Sequence, residues 1–278
     1  MTHSRPVTGT IVKTSDRNRC CRHCDCTIDT PRKVVRRLCF DLLLSRNADA
    51  CAVLGLPPLV LWHQLYTILP NRTFVDQNVH RFRTEGRLLT FKIPSGADDE
   101  VLIRTEDYVA EVEKREAALR EQIRQQPGDK PAFAALAAMA SFRRALPQLA
   151  PQSTTSIQLF LSHMSESGSS DEQEVRAMVG QVRRLGFLLP TPRLDGEAYA
   201  FSIPGVGKLV SVIRKTRTLI IRTLKRTKYK EMHEQQLKKA KLACSCFQLE
   251  FHLADMEGCG LIRRTKVTSG ILVTLTDK

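Results

Sequence analysis

Apolar residues recur along the chain in short segments, and the spacing within each segment predicts a helix or a strand. From residue 31, PRKVVRRLCFDLLLSR places apolar residues at helical intervals with arginines and a lysine between them. After the breaker LGLPP, the segment LVLWHQLYTILP predicts a second, short helix. A third helix is predicted for TFVDQNVHRFRTEG, ending at Gly86, because glycine favours the left-handed conformation that closes a helix.

A β-hairpin is predicted directly after these three helices. LLTFKIP and VLIRT are short and rich in β-branched and aliphatic residues, and SGADDE between them has the composition of a turn. Three helices followed by a hairpin is the order of a winged helix-turn-helix domain.

Two further units of helices followed by a hairpin are predicted along the chain. Helices are predicted at 106–125, 133–146, 156–164 and 171–186, and FLLP and EAYAFSIP form the second hairpin. PQLAPQSTTS is interpreted as a linker or turn. The third round has a long helical pattern after Pro204, a short helix in FQLEFHLADMEGCG and a hairpin of LIRRTKV and ILVTLTD. Each hairpin follows a glycine, in EGRLLTF, RLGFLLP and GCGLIRRT, which predicts a helix cap at each point.

The predicted fold is therefore α+β and mainly α, with three tandem winged helix-turn-helix domains. The predicted boundaries are 32–105, 106–203 and 204–278. Residues 1–31 are polar and without period, and are predicted to form a disordered tail.

Positive charge is concentrated in one segment of the chain. Between Pro204 and Lys241 stand twelve lysines and arginines against Glu231 and Glu234, a net charge of +10, while the whole chain carries +14. On a helix at about 100° per residue, the apolar residues of this segment fall on one face and a basic stripe falls on the other. The stripe consists of Lys208, Lys215, Arg222 and Arg226.

Like charges at this density repel one another, so the segment favours an anionic partner whose bound counterions are released on contact. Double-stranded DNA is the leading candidate, with RNA as the alternative. A platform for stacking single-stranded bases is less favoured, because Tyr229 is the one aromatic residue beside the charges. A solvated helix face without a ligand is the plain alternative.

The predicted phosphate contacts are basic residues of this segment and of the last hairpin. They are Lys208, Arg214, Lys215, Arg217, Arg222, Lys225, Arg226, Lys228, Arg263, Arg264 and Lys266. Such contacts position a protein on nucleic acid without reading its sequence. Residues 47–203 are nearly neutral, which leaves a second hypothesis open: a scaffold that binds protein partners, with or without DNA.

Composition excludes several other classes of protein. No apolar run is long enough to span a bilayer and the N-terminus lacks a signal peptide, so an intracellular protein is expected. A membrane-surface helix is disfavoured because the apolar face of the basic segment has no Trp or Phe. The odd number of cysteines, nine, favours reduced thiols over a disulfide framework.

The cysteine cluster CCRHCDC, with Cys20, Cys21, Cys24 and Cys26, contains the two-residue spacing of zinc sites. It lacks a second spaced pair, so incidental thiols are favoured and zinc stays open. No cofactor or metal is predicted.

Catalytic motifs do not occur in the chain. A protein kinase needs a glycine-rich loop, a strand lysine, a catalytic-loop aspartate with its asparagine and a DFG aspartate, and none is found. PGVGK fails as a Walker A loop, because Ser202 stands where the first glycine belongs and Leu209 where Ser or Thr must hold magnesium. HLAD, at 252–255, is interpreted as part of a helix with Leu253 in the core. The chain is predicted not to be an enzyme.

Ordered blocks of the chain resemble the serine/threonine-protein kinase 19 family. They are PPLVLWHQLYTILPNRTFVDQNVHRF, EGRLLTF, IRTEDY, YAFSIPGVGKLV, RTKYKE, FHLADMEGCGLI and TSGILVTL, which together cover about residues 32–278. The cysteine cluster has no counterpart in that family, and ESGSSDEQ departs from it.

The resemblance implies a tandem winged-helix protein that binds nucleic acid, despite the family's name. It also implies a nuclear location and a role in transcription-coupled DNA repair, with transcription or repair proteins as partners. The oligomeric state does not follow from the sequence, and a homodimer stays open. Lys225, Arg226 and Lys228 match one basic block of the family, and Lys208 matches another basic position.

Overall fold

The protein is α+β and mainly helical, as predicted. A computed structural model describes residues 31–69, 71–95, 99–149, 154–164, 172–191, 198–239 and 245–276. The predicted disordered tail and the cysteine cluster with Cys20, Cys21, Cys24 and Cys26 lie outside the described residues.

The first repeat, residues 31–104, has helices on either side of a short strand and ends in a hairpin. Its elements are α1 (Pro31–Val53), β1 (Val60–Leu61), a 3₁₀ turn (Trp62–Gln64), α2 (Leu65–Ile68), α3 (Arg72–Thr84), β2 (Leu88–Ile93) and β3 (Asp99–Arg104).

The third repeat has the same order of helices and strands as the first, and the second repeat has one additional helix before its first strand. Residues 105–201 form α4 (Thr105–Gln125), α5 (Lys130–Leu149), β4 (Thr154–Ser156), α6 (Ile157–Met164), α7 (Glu172–Arg184), β5 (Leu188–Thr191) and β6 (Ala198–Phe201). Residues 206–275 form α8 (Val206–Lys225), β7 (Glu231–His233), α9 (Glu234–Lys239), α10 (Leu249–Gly258), β8 (Ile262–Val267) and β9 (Gly270–Leu275).

Each repeat contains an antiparallel sheet in which the third strand lies between the other two. The orders are β1-β3-β2, β4-β6-β5 and β7-β9-β8. The two long strands of each sheet form the wing, and the first strand pairs with the third over only two or three residues, as in Val60↔Leu102 and Leu61↔Val101. This is the connectivity of a winged helix.

The sequence prediction is wrong at the first strand of two sheets and at residues 147–149. The sequence predicts a helix for Val60–Leu61 and a linker or turn for residues 147–156, but residues 147–149 belong to α5 and residues 154–156 form β4. The strand at Glu231–His233, within the basic segment, is not predicted. A strand of two or three residues is too short to show a period, and it exists because the edge of the third strand supplies its hydrogen-bond partners.

The three predicted glycine caps are confirmed. Gly86, Gly186 and Gly260 have φ values of 68°, 88° and 75°. In each case the glycine N–H donates to the carbonyl three residues back and the next N–H donates to the carbonyl five residues before it, as from Arg87 to Phe82. This is the Schellman motif, and it turns the chain from the last helix of each repeat into its wing.

The repeats are packed against one another. Residues Leu38–Lys278 form one compact unit, and its largest buried cluster includes Phe91 of the first repeat, Phe142 of the second and Phe251 of the third. Three domains that fold independently, with the predicted boundaries, stay a prediction. Of the other unit, Met1–Arg37, the structure describes residues 31–37, which are helical.

Candidate nucleic-acid interface

The basic segment forms the first helix of the third repeat, α8, and its two faces separate as the helical projection predicts. Leu209, Ile213, Ile220 and Leu224 are almost completely buried. The chain enters α8 through Gly205, whose φ of 85° is in the left-handed region that favours glycine. The opposite face is exposed and carries the basic stripe, namely Lys208, Lys215, Arg222 and Arg226.

This stripe has no internal counter-charge. The chain has no acidic residue between Glu197 and Glu231, so no carboxylate can be offered from within α8. Among the residues that the structure describes, the stripe and Lys225 form no side-chain hydrogen bond or ion pair. Because nothing offsets the repulsion between these cations, an anion placed along the stripe would be attracted by all of them together.

Four other predicted contacts are also exposed, and two of them have a partner within the protein. Arg214 donates to the carbonyl oxygen of Pro94, beyond the end of β2, and the Lys228 ammonium lies 5.2 Å from the ring centroid of Tyr229. Arg263 and Lys266 are exposed on β8. These four side chains stay within the candidate interface.

Arg217 does not belong to the interface, contrary to the prediction. Its residue exposure is only 7 %, because its position on α8 falls on the buried face. The guanidinium donates to both carboxylate oxygens of Asp255, at 2.8 and 2.6 Å, and to Asp99 at 2.8 Å. A phosphate could reach Arg217 only by displacing buried carboxylates, so we remove it from the predicted contacts.

Arg264 is also committed to carboxylates. It donates to Glu257 at 2.6 Å and to Glu250 at 2.7 Å, and its side chain is 15 % exposed. Burial alone would lower the pKa of Arg264, but the two glutamates outweigh it and raise the pKa above its usual value. Arg264 therefore joins β8 to α10. The prediction that it contacts phosphate is wrong, and we remove it from the predicted contacts.

The Arg217 cluster ties the first repeat to the third. His63, in the 3₁₀ turn of the first repeat, bonds Asp255 of α10 through Nε2 at 2.7 Å, and its Nδ1 lies 3.6 Å from Asp99. Ser95 donates to Asp99. Burial would raise the pKa of Asp255, but hydrogen bonds from Arg217 and His63 hold it below its usual value. Arg217, Asp99 and Asp255 form a buried ionic network, to which His63 is bonded, and the network is stable only while each charge keeps its partner.

Sequence reasoning did not find this network. The sequence predicts HLAD only as part of a helix with Leu253 in the core, and Leu253 is buried as predicted. The one available signal was Asp255 within the otherwise apolar run HLADM, since a charged residue there needs a partner. The partner could not be named, because His63 and Asp255 are 192 residues apart.

In the third repeat, the helix with an exposed basic face is the first, α8, and not the third, α10. In winged helices the third helix is the one that usually enters the DNA major groove. Here that helix is α10, whose residues Phe251 to Met256 are all buried, and Gln64 of the first repeat donates to the carbonyl oxygen of Phe251 at 3.0 Å. The exposed positive surface of this repeat therefore comes from α8 and from the wing.

His252 gives a pH dependence to the packing of α10. Its Nε2 is 2.7 Å from the hydroxyl of Ser245, and its Nδ1 is buried with no partner among the described residues. Burial, followed by the charge of Arg217, lowers the pKa of His252 to about 4, against the opposing effect of Asp255.

The free energy of unfolding is expected to fall as the pH drops from about 6.5 to about 4. In that range His252 binds a proton in the unfolded chain but stays neutral in the folded protein. The decrease in the free energy of unfolding should approach about 3 kcal/mol over this pH range. Urea denaturation at pH 7, 5.5 and 4.5 measures it. His252→Gln should lose this part of the pH slope, whereas His80→Gln, at an exposed position, should keep it; equal slopes in both variants would contradict the assignment.

Comparisons with known proteins agree with the resemblance seen in the sequence. The family model described as inactive serine-threonine protein kinase 19 matches residues 44–275. The chain is 26 % identical over 224 residues to Winged helix repair factor 1 of Xenopus laevis, covering 80 % of this chain and 76 % of that protein. It is 25 % identical over 225 residues to the Homo sapiens protein of the same name, covering 80 % and 78 %.

Among the described residues, every helix is too short or too polar to span a bilayer.

Proposed function

The chain belongs to the inactive serine-threonine protein kinase 19 family, and from this premise we propose that it is a winged-helix DNA repair factor that binds double-stranded DNA through α8. It acts in the nucleus, in transcription-coupled repair, together with transcription or repair proteins. This proposal has two variants. In one the ligand is RNA in place of DNA, and in the other the protein acts as a homodimer.

The protein is not an enzyme. The family that it matches is described as inactive, and the sequence has none of the nucleotide- and metal-binding motifs of protein kinases. The relatives named Winged helix repair factor 1 support a role in DNA repair that depends on binding.

The observation that carries the proposal is the basic stripe of α8, exposed along one side of a helix whose other side is fixed in the core. Lys208, Lys215 and Arg222 lie on a helix of 20 residues, and Arg226 is the residue that caps its C-terminal end. A helix of this length is about 30 Å long. Phosphates recur along each DNA strand at about 3.4 Å of helix axis, so a rigid row of cations can meet several of them at once. Such contacts bind the backbone of any sequence.

We expect the affinity for a DNA duplex to fall steeply with salt and to depend on the stripe. Replacing Lys208, Lys215, Arg222 and Arg226 by Glu should weaken binding more than about a hundredfold and reduce the slope of log K against log[salt] by about 3 to 4. Fluorescence anisotropy with a labelled duplex, from 50 to about 200 mM salt, measures both quantities.

The matched control changes the net charge equally but elsewhere on the surface. Arg46, Arg115, Lys130 and Arg183 are exposed and lie on α1, α4, α5 and α7. Replacing all four of them by Glu should leave most of the affinity for the DNA duplex unchanged. If the two variants bind alike, or if the wild-type protein binds no duplex, the proposal is wrong.

A further inference from the structure

The first repeat contains a recess of opposite character to the basic stripe. It has a volume of about 350 Å³ and is lined by Trp62, His63, Tyr66, Asp76 and Glu100. Among the described residues, the lining consists of aromatic rings and carboxylates and includes no lysine or arginine. A nucleic-acid backbone would be repelled here, whereas a cation would meet two carboxylates and the faces of aromatic rings.

Asp76 fixes the geometry of the recess. The indole N–H of Trp62 and the hydroxyl of Tyr66 both donate to the same oxygen of Asp76, Oδ1, at 3.0 and 2.6 Å. Its other oxygen has no hydrogen bond to any residue that the structure describes. Both rings are thus held in place while part of the carboxylate stays available. Burial and the neighbouring Asp76 raise the pKa of Tyr66 to about 12, so Tyr66 keeps its proton and remains a donor.

Glu100 supplies the second carboxylate. It is half-exposed on β3, opposite Lys92 of β2 in the strand register, and has no ion pair or side-chain hydrogen bond within the described part of the chain. A carboxylate beside aromatic rings attracts a cation that can also place its apolar stem on those rings.

A guanidinium of the protein already lies against one of the aromatic rings that line the recess. Arg72, at the start of α3, holds its guanidinium carbon 5.1 Å from the ring centroid of Tyr66. Arg72 is exposed, so it can move aside, and its charge competes with any other cation that approaches Tyr66.

We propose that this recess binds a basic side chain, arginine or lysine, presented by a protein partner. The cation lies between Asp76 and Glu100 and stacks on Trp62, the strongest aromatic partner for a cation. The net charge of +14 repels basic peptides from the surface as a whole, so such binding has to be local. The recess shares no residue with the candidate DNA interface, so the two proposals can be tested separately.

The chain's single tryptophan, Trp62, is a direct probe. The full chain is titrated with capped pentapeptides, Gly-Gly-X-Gly-Gly, in which X is arginine, lysine or glutamine. We expect a saturable change of tryptophan fluorescence with the arginine and lysine peptides, and their relative affinities decide which side chain is preferred. No saturable change, or an equal change with the glutamine peptide, would overturn the proposal.

Two surface variants should move the affinity in opposite directions. Glu100→Gln removes an attractive charge and should lower the affinity for the arginine peptide about three- to tenfold. Arg72→Gln removes a competing cation and should raise that affinity about threefold. Damage to the fold would weaken both. Glu113→Gln, an exposed position on α4, should leave affinity unchanged. Shifts of the same sign for Glu100→Gln and Arg72→Gln, or an effect of Glu113→Gln equal to that of Glu100→Gln, would contradict the site.

Discussion

Replacing Gly258 by alanine should lower the free energy of unfolding by about 3 kcal/mol or more. Gly258 is the last residue of α10, and a β-carbon built on it would overlap the carbonyl oxygen of His63 and lie 2.6 Å from the carbonyl carbon. Both atoms belong to backbone, which cannot rotate away as a side chain can. The variant must therefore separate α10 from the 3₁₀ turn that carries His63, and the bond between His63 and Asp255 is lost with it.

Gly180 is the matched control for this substitution. It lies inside α7 with helical backbone, and a β-carbon there would meet no atom within 4 Å. Gly180→Ala should stabilise the protein by up to about 1 kcal/mol, because alanine is the better helix former. Urea denaturation of both variants measures the difference. If Gly258→Ala is as stable as Gly180→Ala, the close packing of α10 on the first repeat is wrong.

Replacing Arg217 by methionine should cost about 3–5 kcal/mol, although methionine fits a buried helical position. The cost arises because Asp255 and Asp99 would remain buried without the cation that both of them contact. Lys215→Met, two residues away on the exposed face of α8, should change stability by no more than about 0.5 kcal/mol.

The pH dependence identifies the cause of the Arg217 effect. In the wild-type protein the pKa of Asp255 is lowered, so its ionisation stabilises the fold above the unfolded value of 3.8 and this stabilisation is lost as the pH falls below it. Without Arg217 the same carboxylate is destabilising when ionised, and protonation relieves it.

The difference between wild type and Arg217→Met should therefore shrink as the pH approaches 4, and Asp255→Asn in the Arg217→Met background should recover part of the loss. Denaturation of the single and double variants between pH 7 and 4 tests this. A difference that is independent of pH would show that lost packing, not uncompensated charge, causes the effect.

These two predictions also bear on DNA binding, because the network fixes the buried side of α8 against α10 and the first repeat. Arg217 and Lys215 are both basic and close in sequence, yet they serve different purposes. We expect Lys215→Met to weaken DNA binding with little loss of stability, whereas Arg217→Met should act first on the fold.

Much of the architecture follows from the sequence, because local rules decide it. The periods of the long helices, the two strands of each wing and the glycines at positions 86, 186 and 260 each depend on residues within a few positions of one another. The repetition of this order along the chain was enough to predict the winged-helix fold. The concentration of charge in α8 is likewise a property of the sequence, and the helical projection correctly separated the basic stripe from the buried face.

The sequence by itself determined which segments are helices and wings, and that one helix is strongly basic. Only the tertiary structure decided that Arg217 is an internal ion-pair partner while Lys215 faces solvent, that β1, β4 and β7 are strands, and that α10 is buried. The physical reason is the same in each case. A short strand needs the edge of a distant strand, and a buried charge needs a distant counter-charge, so neither can be assigned until the fold has brought residues such as His63 and Asp255 together.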